Sequence, residues 1–392
     1  MILLRRAFVL AAIAALVCPL AAQGSWTVTN LTNDPAKGQS EVRVSDGYIA
    51  WLEWDSSNSD ANIYLYEVAS DTSKVVTDDS YRYWPMRLSG PNVAWLAYDG
   101  ASNVGDYYMY SGGFSGGSTA AVTTDWAIRS AGPEISGTTL IWSQDWYPEV
   151  YLYNGGVPQQ ISSAGGAVSR PVISGDYVAW GQYESVYQNG HVYQYHDGSA
   201  SEISTETATN FRDIAISGSR VVWYDHDSSA GTHDIWYYDG TSAEKIFSHD
   251  DYIEELCIDG STVAWYTDND DGYTTIFLYD GTSVVDLLAP TTYGEIGAID
   301  ISGSLLVWDY TEGGGDEEGS LSVIMLYDGT SIQQISPEGD YCMYPRVSGD
   351  VIAWEVMDLN TYNSDIAMTV VPEPGSLALI AMGALALLRR RR

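Results

Sequence analysis

Residues 216–223 read ISGSRVVW, and this phrase decides the fold because eight versions of it run through the chain. Each version has a hydrophobic residue, Ser or Asp, usually Gly, two variable residues, two apolar residues and a Trp six positions after the Ser or Asp. The eight pairs are Ser45/Trp51, Ser89/Trp95, Ser136/Trp142, Ser174/Trp180, Ser217/Trp223, Asp259/Trp265, Ser302/Trp308 and Ser348/Trp354. Successive tryptophans are 44, 47, 38, 43, 42, 43 and 46 residues apart. A period in this range indicates one repeat architecture rather than several unrelated domains.

Each phrase predicts two short strands around a Gly turn, since β-branched and aromatic residues flank the turn on both sides. A third strand follows, as in IYLY at 63–66, and a fourth leaves an Asn-Gly or Asp-Gly turn such as 197–198. These turns predict positive φ at both central positions. Four antiparallel strands about every 40 residues describe the blade of a β-propeller. We therefore predict an all-β fold of eight four-stranded blades, with seven blades, one phrase being degenerate, as the alternative.

The two ends of the repeat predict how the ring closes. The eighth unit has a third strand at 366–370 but no fourth, whereas residues 28–34 form a spare strand that resembles 74–79. Thr32 precedes its Ser by 13 residues and Thr77 precedes its own by 12. We expect the N-terminal strand to complete the last blade and so remove a free sheet edge.

The phrases ISG…VAW (173–180) and IFLYDG (276–281) resemble the TolB-like or WD40-like β-propeller repeat of many secreted bacterial proteins. The resemblance covers roughly residues 26–370. It departs from a true WD40 array because the Gly190-His191 pair does not recur from unit to unit. The repeated tryptophans and strand tyrosines are interpreted as packing residues, since buried aromatics usually form the core.

Residues 1–24 have the layout of a secretory signal peptide. Arg5-Arg6 is followed by an apolar run at 7–17 and by small residues near 21–24, where we expect cleavage. A lipoprotein signal at Cys18 and an uncleaved membrane anchor are weaker alternatives. Short helices are expected at both termini, with the propeller between them at 25–370.

The C-terminus, residues 371–392, has the layout of a second targeting segment. Val371, Pro372, Glu373 and Pro374 precede an apolar run at 376–388, and the chain ends on Arg389, Arg390, Arg391 and Arg392. The run is short for a membrane span of about 20 residues, and the arginines would stay on the cytoplasmic side. This arrangement resembles the PEP-CTERM sorting signal, which implies processing by an exosortase, a membrane protease of Gram-negative bacteria that make extracellular polysaccharide. An ordinary tail anchor is the alternative.

Charge excludes one class of partner. The chain has 52 acidic and 17 basic residues, a formal net charge of −35. Six of the basic residues lie in the two terminal segments, which leaves 11 against the 52 acids, or about −41. Such a body repels phosphate backbones and anionic lipid head groups, which excludes nucleic acid as a partner. It favours cations, neutral polymers or other proteins.

One face of the predicted ring gathers the longer connections, between second and third strands and between blades. Exposed aromatic residues there form a possible ligand face, consisting of Trp84, Trp126, Tyr252 and Tyr341. Variable loops on a rigid scaffold are where binding residues concentrate.

Acids on the same face predict a possible calcium site, because Ca²⁺ takes oxygen ligands. The candidates are Asp225, Asp227, Asp268 and Asp270, which alternate in two loops but lack the EF-hand spacing. A transition metal at His226 and His233 is a weaker interpretation, since no second motif supports it. Solvated surface acids are the alternative.

Catalytic signals are weak. Residues 113–117 match G-x-S-x-G around Ser115, but in a Gly-rich turn rather than a strand-to-helix elbow. Paired carboxylates for glycoside cleavage remain open because so many acids are present. Cys257 and Cys342 occupy different positions nearly two units apart, which disfavours a disulfide.

From these patterns we expect an exported, surface-displayed propeller, sorted by an exosortase after passage through the Sec machinery. It would be anchored transiently in the inner membrane and then reach the cell surface or the medium. The leading hypothesis is a non-enzymatic binding or scaffold protein for extracellular polysaccharide, matrix components or a surface protein. The alternatives are a carbohydrate-active hydrolase or lyase that uses loop carboxylates, and a purely structural matrix protein.

Overall fold

The computed structural model describes residues 26–34, 36–55, 61–77, 82–98, 105–124, 132–144, 147–163, 167–185, 188–204, 211–227, 230–268, 274–288, 294–312 and 321–372. These residues form strands and turns and contain no helix. The strands build eight antiparallel sheets, one for each repeated phrase. The prediction of an all-β propeller with eight four-stranded blades is confirmed, and the seven-blade alternative is wrong.

The first four blades follow the N-terminal strand β1 (Thr29–Asn30). Blade 1 consists of β2 (Lys37–Ser45), β3 (Tyr48–Asp55), β4 (Ala61–Glu67) and β5 (Thr72–Val75). Blade 2 consists of β6 (Arg82–Ser89), β7 (Asn92–Tyr98), β8 (Gly105–Ser111) and β9 (Ser118–Ala121). Blade 3 consists of β10 (Glu134–Ser136), β11 (Thr139–Gln144), β12 (Tyr147–Tyr153) and β13 (Gln159–Gln160). Blade 4 consists of β14 (Val172–Ser174), β15 (Tyr177–Ser185), β16 (Gln188–His196) and β17 (Ser199–Glu202).

The last four blades complete the ring. Blade 5 consists of β18 (Phe211–Ser217), β19 (Arg220–Asp227), β20 (Thr232–Tyr238) and β21 (Ala243–His249). Blade 6 consists of β22 (Tyr252–Asp259), β23 (Thr262–Asp268), β24 (Thr274–Tyr279) and β25 (Val284–Leu288). Blade 7 has a first strand in two pieces, β26 (Gly294–Glu295) and β27 (Ile299–Ser302), followed by β28 (Leu305–Glu312), β29 (Ser322–Tyr327) and β30 (Ile332–Gln334). Blade 8 consists of β31 (Tyr341–Ser348), β32 (Val351–Met357) and β33 (Ser364–Val370), with β1 as its fourth strand.

The first strand of each blade lies at the centre of the ring. The first strands of all eight neighbouring pairs contact one another, from β2 and β6 round to β31 and β2. Fourth strands such as β9 and β17 are exposed along their whole length. The first strands therefore form the inner wall of a central channel, and the fourth strands form the outer rim.

The repeated Ser or Asp joins each blade to the next. Its side-chain oxygen accepts a hydrogen bond from the backbone N–H of the turn residue in the following blade, as Ser217 does from Gly260. Counted from Ser45 and Gly90 around to Ser348 and Asp46, the eight distances are 2.9, 2.8, 2.9, 2.9, 2.9, 2.6, 3.0 and 3.0 Å. The donating turn residue has a φ of 49° at Asp46 and 52° to 61° at the seven glycines, a region that favours Gly.

The repeated Trp fills the interface between blades. All eight are at most 2% exposed. Six of them stack on the aromatic residue opposite on the third strand, with ring centroids 5.5 Å apart for Trp51 and Tyr64 and 6.3 Å apart for Trp223 and Trp236. Burying 150–250 Å² of each ring contributes roughly 4 to 6 kcal/mol before conformational entropy is counted. The interpretation of these residues as core is confirmed.

The N-terminal strand closes the ring as predicted. Strand β1 pairs antiparallel with β33, with Thr29 opposite Met368. Thr32 Oγ1 accepts the N–H of Ile366 at 2.8 Å, just as Thr77 Oγ1 accepts the N–H of Ile63 at 2.9 Å in blade 1. The same capping contact recurs at Thr123, Ser162, Ser204 and Ser336. Thr32 thus occupies the position at which a Thr or Ser caps the end of the fourth strand in five other blades.

The turns between third and fourth strands differ from the prediction. Asp197-Gly198 has positive φ at both residues, 50° and 79°, as expected. At Asp239, Asp280 and Asp328 only the following Gly has positive φ, and the loop has four residues, Asp-Gly-Thr-Ser. The Asp side chain there accepts the N–H groups two and three residues on, with 2.8 Å for both at Asp280. At Asn154-Gly155, too, only the Gly has positive φ. The two-residue turn was therefore wrong at these sites, and at the three aspartates the side-chain cap takes its place.

Two opposite faces result from this topology. The turn face carries the turns between first and second and between third and fourth strands, such as 349–350 in blade 8. The loop face carries the connections between second and third strands and between blades, such as 358–363 and 335–340. Ser115 lies in the turn between β8 and β9, as its Gly-rich surroundings predict.

Both ends of the described chain leave the propeller at the turn face. Val371, the first residue after β33, donates its N–H to the carbonyl of Asp350 at 2.8 Å. Thr369 Oγ1 donates to the carbonyl of Thr27 at 3.0 Å, which holds the start of the chain beside the same end of β33. The loop face is therefore opposite the point where both termini emerge.

The predicted signal peptide, the terminal helices and Glu373 to Arg392 lie outside the described residues. Within the described part of the chain, no helix is long and apolar enough to cross a membrane. Cys257 and Cys342 are both free thiols.

Opening the closure should destabilise the whole ring. Leu31 packs against the cluster that contains Trp51, Ile366 and Met368. We expect Leu31→Asp to lower the melting temperature by several degrees, because a charge would replace an apolar contact at the joint. Val157→Asp is the matched control, since Val157 is 81% exposed on the turn face. Equal melting temperatures for the two variants in differential scanning calorimetry would argue against closure by β1.

Candidate functional site: the loop face and the central channel

The predicted calcium ligands are distributed over two blades. Asp225 and Asp227 lie near the end of β19, and Asp268 ends β23 in the next blade. Asp227 Oδ1 accepts the N–H of Ala230 at 3.1 Å, which makes it a cap of its own loop. Among the residues that the structure describes, no group of three or more His, Cys, Asp or Glu side chains could hold a metal ion. Asp270 lies outside them, so calcium stays a prediction.

The two histidines of the weaker metal interpretation lie in a cluster of stacked rings. His226 and His233 are opposite each other on β19 and β20, with ring centroids 4.6 Å apart. The hydroxyl of Tyr224 is 2.5 Å from Nδ1 of His233, and the Tyr252 ring is 4.7 Å from the His233 ring. His233 is only 6% exposed, so this cluster joins blade 5 to blade 6. Beneath it, buried Asp234 accepts Lys245 Nζ and Ser248 Oγ, both at 2.5 Å.

Large apolar side chains are exposed on blades 6 to 8, at the loop face except for Tyr344, which lies at the bulge of the inner strand β31. They are Tyr252, Leu321, Tyr344, Leu359 and Tyr362, with exposed fractions of 38%, 37%, 48%, 44% and 77%. Of the predicted ligand face, Tyr252 belongs to this set and Tyr341 is half-buried on β31. Trp84 lies on β6, but its side chain is outside the described part, and Trp126 is outside it altogether. Tyr344, expected with Tyr341 in a loop of this face, lies on strand β31 instead, and Tyr362 was not singled out.

Arginine recurs on the inner wall of the channel. The residue two positions before the repeated Ser is Arg in blades 8, 1 and 2, at Arg346, Arg43 and Arg87. Arg87 Nε donates to Glu134 of blade 3 at 2.8 Å, and Arg170 Nη2 of blade 4 donates to the same oxygen at 2.5 Å. A cavity of about 370 Å³ lies against this wall, lined by Glu134, Ser169, Arg170, Val172, Gly181, Asp213 and Ile214.

Carboxylates of the inner wall bind backbone N–H groups of the next blade. Asp213 accepts Leu256 N at 3.2 Å, Glu255 accepts Ile299 N at 2.6 Å and Asp300 accepts Val347 N at 2.9 Å. Burial raises the pKa of all three carboxyl groups, while the backbone donors oppose the shift in each and the charge of Arg346 opposes it more strongly at Glu255 and Asp300. These acids therefore bridge neighbouring blades near the channel.

Two further acids hold bulges in the inner wall. Glu41 and Tyr344 have φ of 57° and 55°, where the pairing of β2 with β3 and of β31 with β32 shifts register. Asp309, the residue after its Trp, accepts the N–H of Tyr344 at 2.9 Å. Glu355, at the same position in blade 8, accepts backbone N–H groups of Glu41 and Val42, but burial raises its pKa to about 7.

The arginines and acids of the channel were missed by the sequence reasoning. The signal was present, because the position two before the repeated Ser carries a charge in five of the eight phrases. Alternation marks which side chains share a sheet face. It does not by itself reveal that the first strands, rather than the fourth, line the centre.

Comparison with known proteins identifies the C-terminus. Residues 370–392 match the PEP-CTERM protein-sorting motif. The chain carries a PEP-CTERM sorting motif. This motif marks an exported protein that an exosortase processes, so that part of the prediction is confirmed. No curated protein sequence matches the chain.

Solved propellers share the fold. The β-propeller domain of the Trilobed protease from Pyrococcus furiosus has a TM-score of 0.55 at 12% identity, over 79% of this chain and 98% of that one. The acylaminoacyl peptidase of Pyrococcus horikoshii gives 0.53 at 14%, over 82% and 57%, and oligopeptidase B of Leishmania major gives 0.55 at 10%, over 83% and 54%. This chain thus spans little more than half the length of those two peptidases. The Trilobed propeller is described as an open velcro topology, whereas β1 and β33 pair here.

Raised carboxyl pKa values predict a pH-dependent stability. Glu355 has a pKa of about 7 in the folded state against an ordinary value of 4.5, so the folded protein holds a proton that the unfolded chain has lost between these values. Stability must then fall as the pH rises from about 4.5 to 7, by roughly 3 kcal/mol for a single shift of that size. We expect the melting temperature to be higher at pH 5 than at pH 8.

Glu355→Gln isolates this contribution. Gln cannot ionise, so the variant should lose less stability than the wild type over the same pH range, and the exposed control Glu338→Gln should behave as the wild type. Melting curves at half-unit pH intervals measure the difference. Parallel curves for wild type and Glu355→Gln would rule out Glu355 as a source of the dependence.

Proposed function

We propose that this chain is a non-enzymatic binding protein, displayed at the cell surface or released outside it, that binds extracellular polysaccharide through its loop face. The observation that carries the proposal is the exit of both termini at the turn face, opposite the loop face. A protein held by its C-terminal tail would present the loop face away from the membrane. Export would use the Sec machinery and a transient inner-membrane anchor before exosortase processing.

The chemistry of the loop face suits a sugar polymer. An exposed tyrosine such as Tyr362 offers a flat apolar ring, which stacks on the apolar face of a sugar ring, and its hydroxyl can bond sugar hydroxyls. Neighbouring backbone and carboxylate groups add polar contacts that fix orientation. Such exposed apolar side chains are distributed over blades 6 to 8, from Tyr252 in blade 6 to Tyr362 in blade 8.

A rigid ring supports such a role. The inter-blade hydrogen bonds and stacked tryptophans hold the described strands at fixed positions, so a polymer that meets side chains at the strand ends would order them at little cost. Calcium, if it binds near Asp225 and Asp268, would add a cation that sugar hydroxyls can ligate.

Binding through the loop face is tested on a glycan array. The exported, processed protein should bind one class of polysaccharide, and Tyr252→Ala with Tyr362→Ala should weaken binding at least about tenfold by loss of ring stacking. Val157→Ala on the turn face is the control and should bind as the wild type. Repeating the array with EDTA tests the calcium prediction.

Product analysis follows on the bound glycans. Unchanged chain length agrees with a binding protein, whereas new reducing or unsaturated ends would replace the proposal by a hydrolase or lyase. Equal binding by the double variant and the wild type would exclude this part of the loop face as the glycan-binding surface.

The sorting step has its own test. We expect Glu373→Ala to leave unprocessed, membrane-retained protein in a host that has an exosortase, because the motif residue is lost. The measurement is the mass and membrane fraction of the protein, and Glu338→Ala within the propeller is the control. Normal release of Glu373→Ala would contradict recognition through the Pro-Glu-Pro motif.

A further inference from the structure

Three arginines stand at one position on three consecutive first strands. Arg346, Arg43 and Arg87 each lie two residues before the repeated Ser, in blades 8, 1 and 2. They become neighbours because β1 closes the ring and brings β31 beside β2. Positive charge is thus concentrated on one arc of the inner wall, in a chain with a net charge of −35.

The three guanidinium groups are oriented alike. In each, Nη1 donates to the carbonyl of the preceding residue, at 2.9 Å for Arg43, 2.8 Å for Arg87 and 3.1 Å for Arg346. A guanidinium has five N–H donors in a planar fork, so at Arg43 and Arg346 one corner is fixed to the strand and the others remain to bind something else, whereas Arg87 also donates from Nε to Glu134. The side chains of Arg43 and Arg87 are 24% and 16% exposed, which makes them reachable from the channel.

The acids nearby use their oxygens on other donors. Glu134 is occupied by Arg87 and Arg170. Glu41 lies 3.9 Å from Arg43, beyond hydrogen-bond length, and its Oε2 is 3.3 Å from the N–H of Met86. Within the described part of the chain, Arg43 and Arg346 each make one side-chain hydrogen bond, the one to the preceding carbonyl. Donors of both arginines are therefore left for a ligand.

The electrostatics agree with this geometry. Burial and the charges of Arg87 and Arg346 lower the pKa of Arg43 to about 10, against the attraction of Glu41 and Glu134. The three arginines therefore repel one another, although Asp300, Glu255 and Glu355 also lie within Coulomb range of Arg346 or Arg43. An anion between the three forks would relieve the repulsion.

We propose that Arg346, Arg43 and Arg87 form a carboxylate-binding site on the inner wall of the channel between blades 8, 1 and 2. The planar fork of Arg matches a carboxylate with two parallel hydrogen bonds. A carboxylate is favoured over a phosphate dianion, because Glu41, Asp300 and the acidic body around them repel a second negative charge. The ligand is an organic acid, either a free small molecule or the acidic sugar unit of a polymer. This site is separate from the loop face and does not depend on the function proposed for it.

The test is a titration of the full exported protein with glucuronate, followed by calorimetry and thermal shift. Glucuronate should bind and raise the melting temperature, and the affinity should fall as NaCl is added. Glucose, which lacks the carboxylate, and inorganic phosphate should give smaller shifts. An oligouronide that binds more tightly than glucuronate identifies a polymer as the source, and equal affinity per carboxylate identifies a free acid.

Variants connect the binding to the three arginines. Arg43→Gln and Arg346→Gln should each weaken glucuronate binding by at least about tenfold, the loss expected for a charged hydrogen-bond partner. Arg220→Gln is the matched control, since Arg220 lies on the second strand β19 near Tyr237 and away from the inner wall. No detectable binding of glucuronate, equal shifts with glucose, or full affinity in folded Arg43→Gln would overturn the proposal.

A measurement on the unaltered protein covers the case in which the variants fail to fold. Crystals soaked in 4-bromobenzoate should show an anomalous bromine peak whose carboxylate lies within hydrogen-bond distance of Arg43 and Arg346. A peak only elsewhere on the surface would also overturn it. Loss of glycan binding in the loop-face tyrosine variants leaves both results unchanged, so the two proposals fail separately.

Discussion

The hydrogen bond from a turn N–H to the repeated Ser or Asp is the contact on which the ring depends. It is present at all eight junctions and connects the end of the first strand in one blade to the turn in the next blade. Each bond is worth only about 1 kcal/mol, but it fixes the register between blades. With the register fixed, a Trp six residues later always reaches the same interface. This is why the six-residue interval never varies, while the spacing between phrases varies from 38 to 47 residues.

Exceptions to the phrase obey the same constraint. Asp259 replaces Ser in blade 6 and accepts its N–H at 2.6 Å, the shortest of the eight. Asp46 replaces Gly in blade 1 and still takes positive φ, a conformation that Asp tolerates better than most residues. A side-chain acceptor and a left-handed donor residue are therefore what each junction requires, and the residue types follow from that.

The repeat predicts the blade count, the strand order and the closure by β1, because all three follow from hydrogen-bond periodicity along the chain. Thr32 was a strong signal, since its match to Thr77 reflects an identical capping bond. The Asp-Gly-Thr-Ser loops were mistaken for two-residue turns, because the dipeptide is the same and only the Asp side-chain cap differs. The channel could not be derived in this way. Arg346 and Arg43 are 303 positions apart, and only the closed ring makes them neighbours.

The acid excess divides into groups with opposite electrostatic environments. On the turn face, exposed Asp280 accepts hydrogen bonds that lower its pKa to about 2, so it stays charged under all ordinary conditions. On the inner wall, Glu355 is buried and Asp300 is half-buried, and their pKa values are raised, so their charge is costly; both accept backbone N–H groups of the next blade. Acidity alone is therefore not evidence of a cation site in this protein. The arc at blades 8, 1 and 2 differs because three arginines stand at one position on consecutive first strands, and Arg43 and Arg346 each use one N–H donor on the preceding carbonyl. In a strongly acidic protein, the remaining guanidinium donors are a more specific indication of a ligand than the acids are.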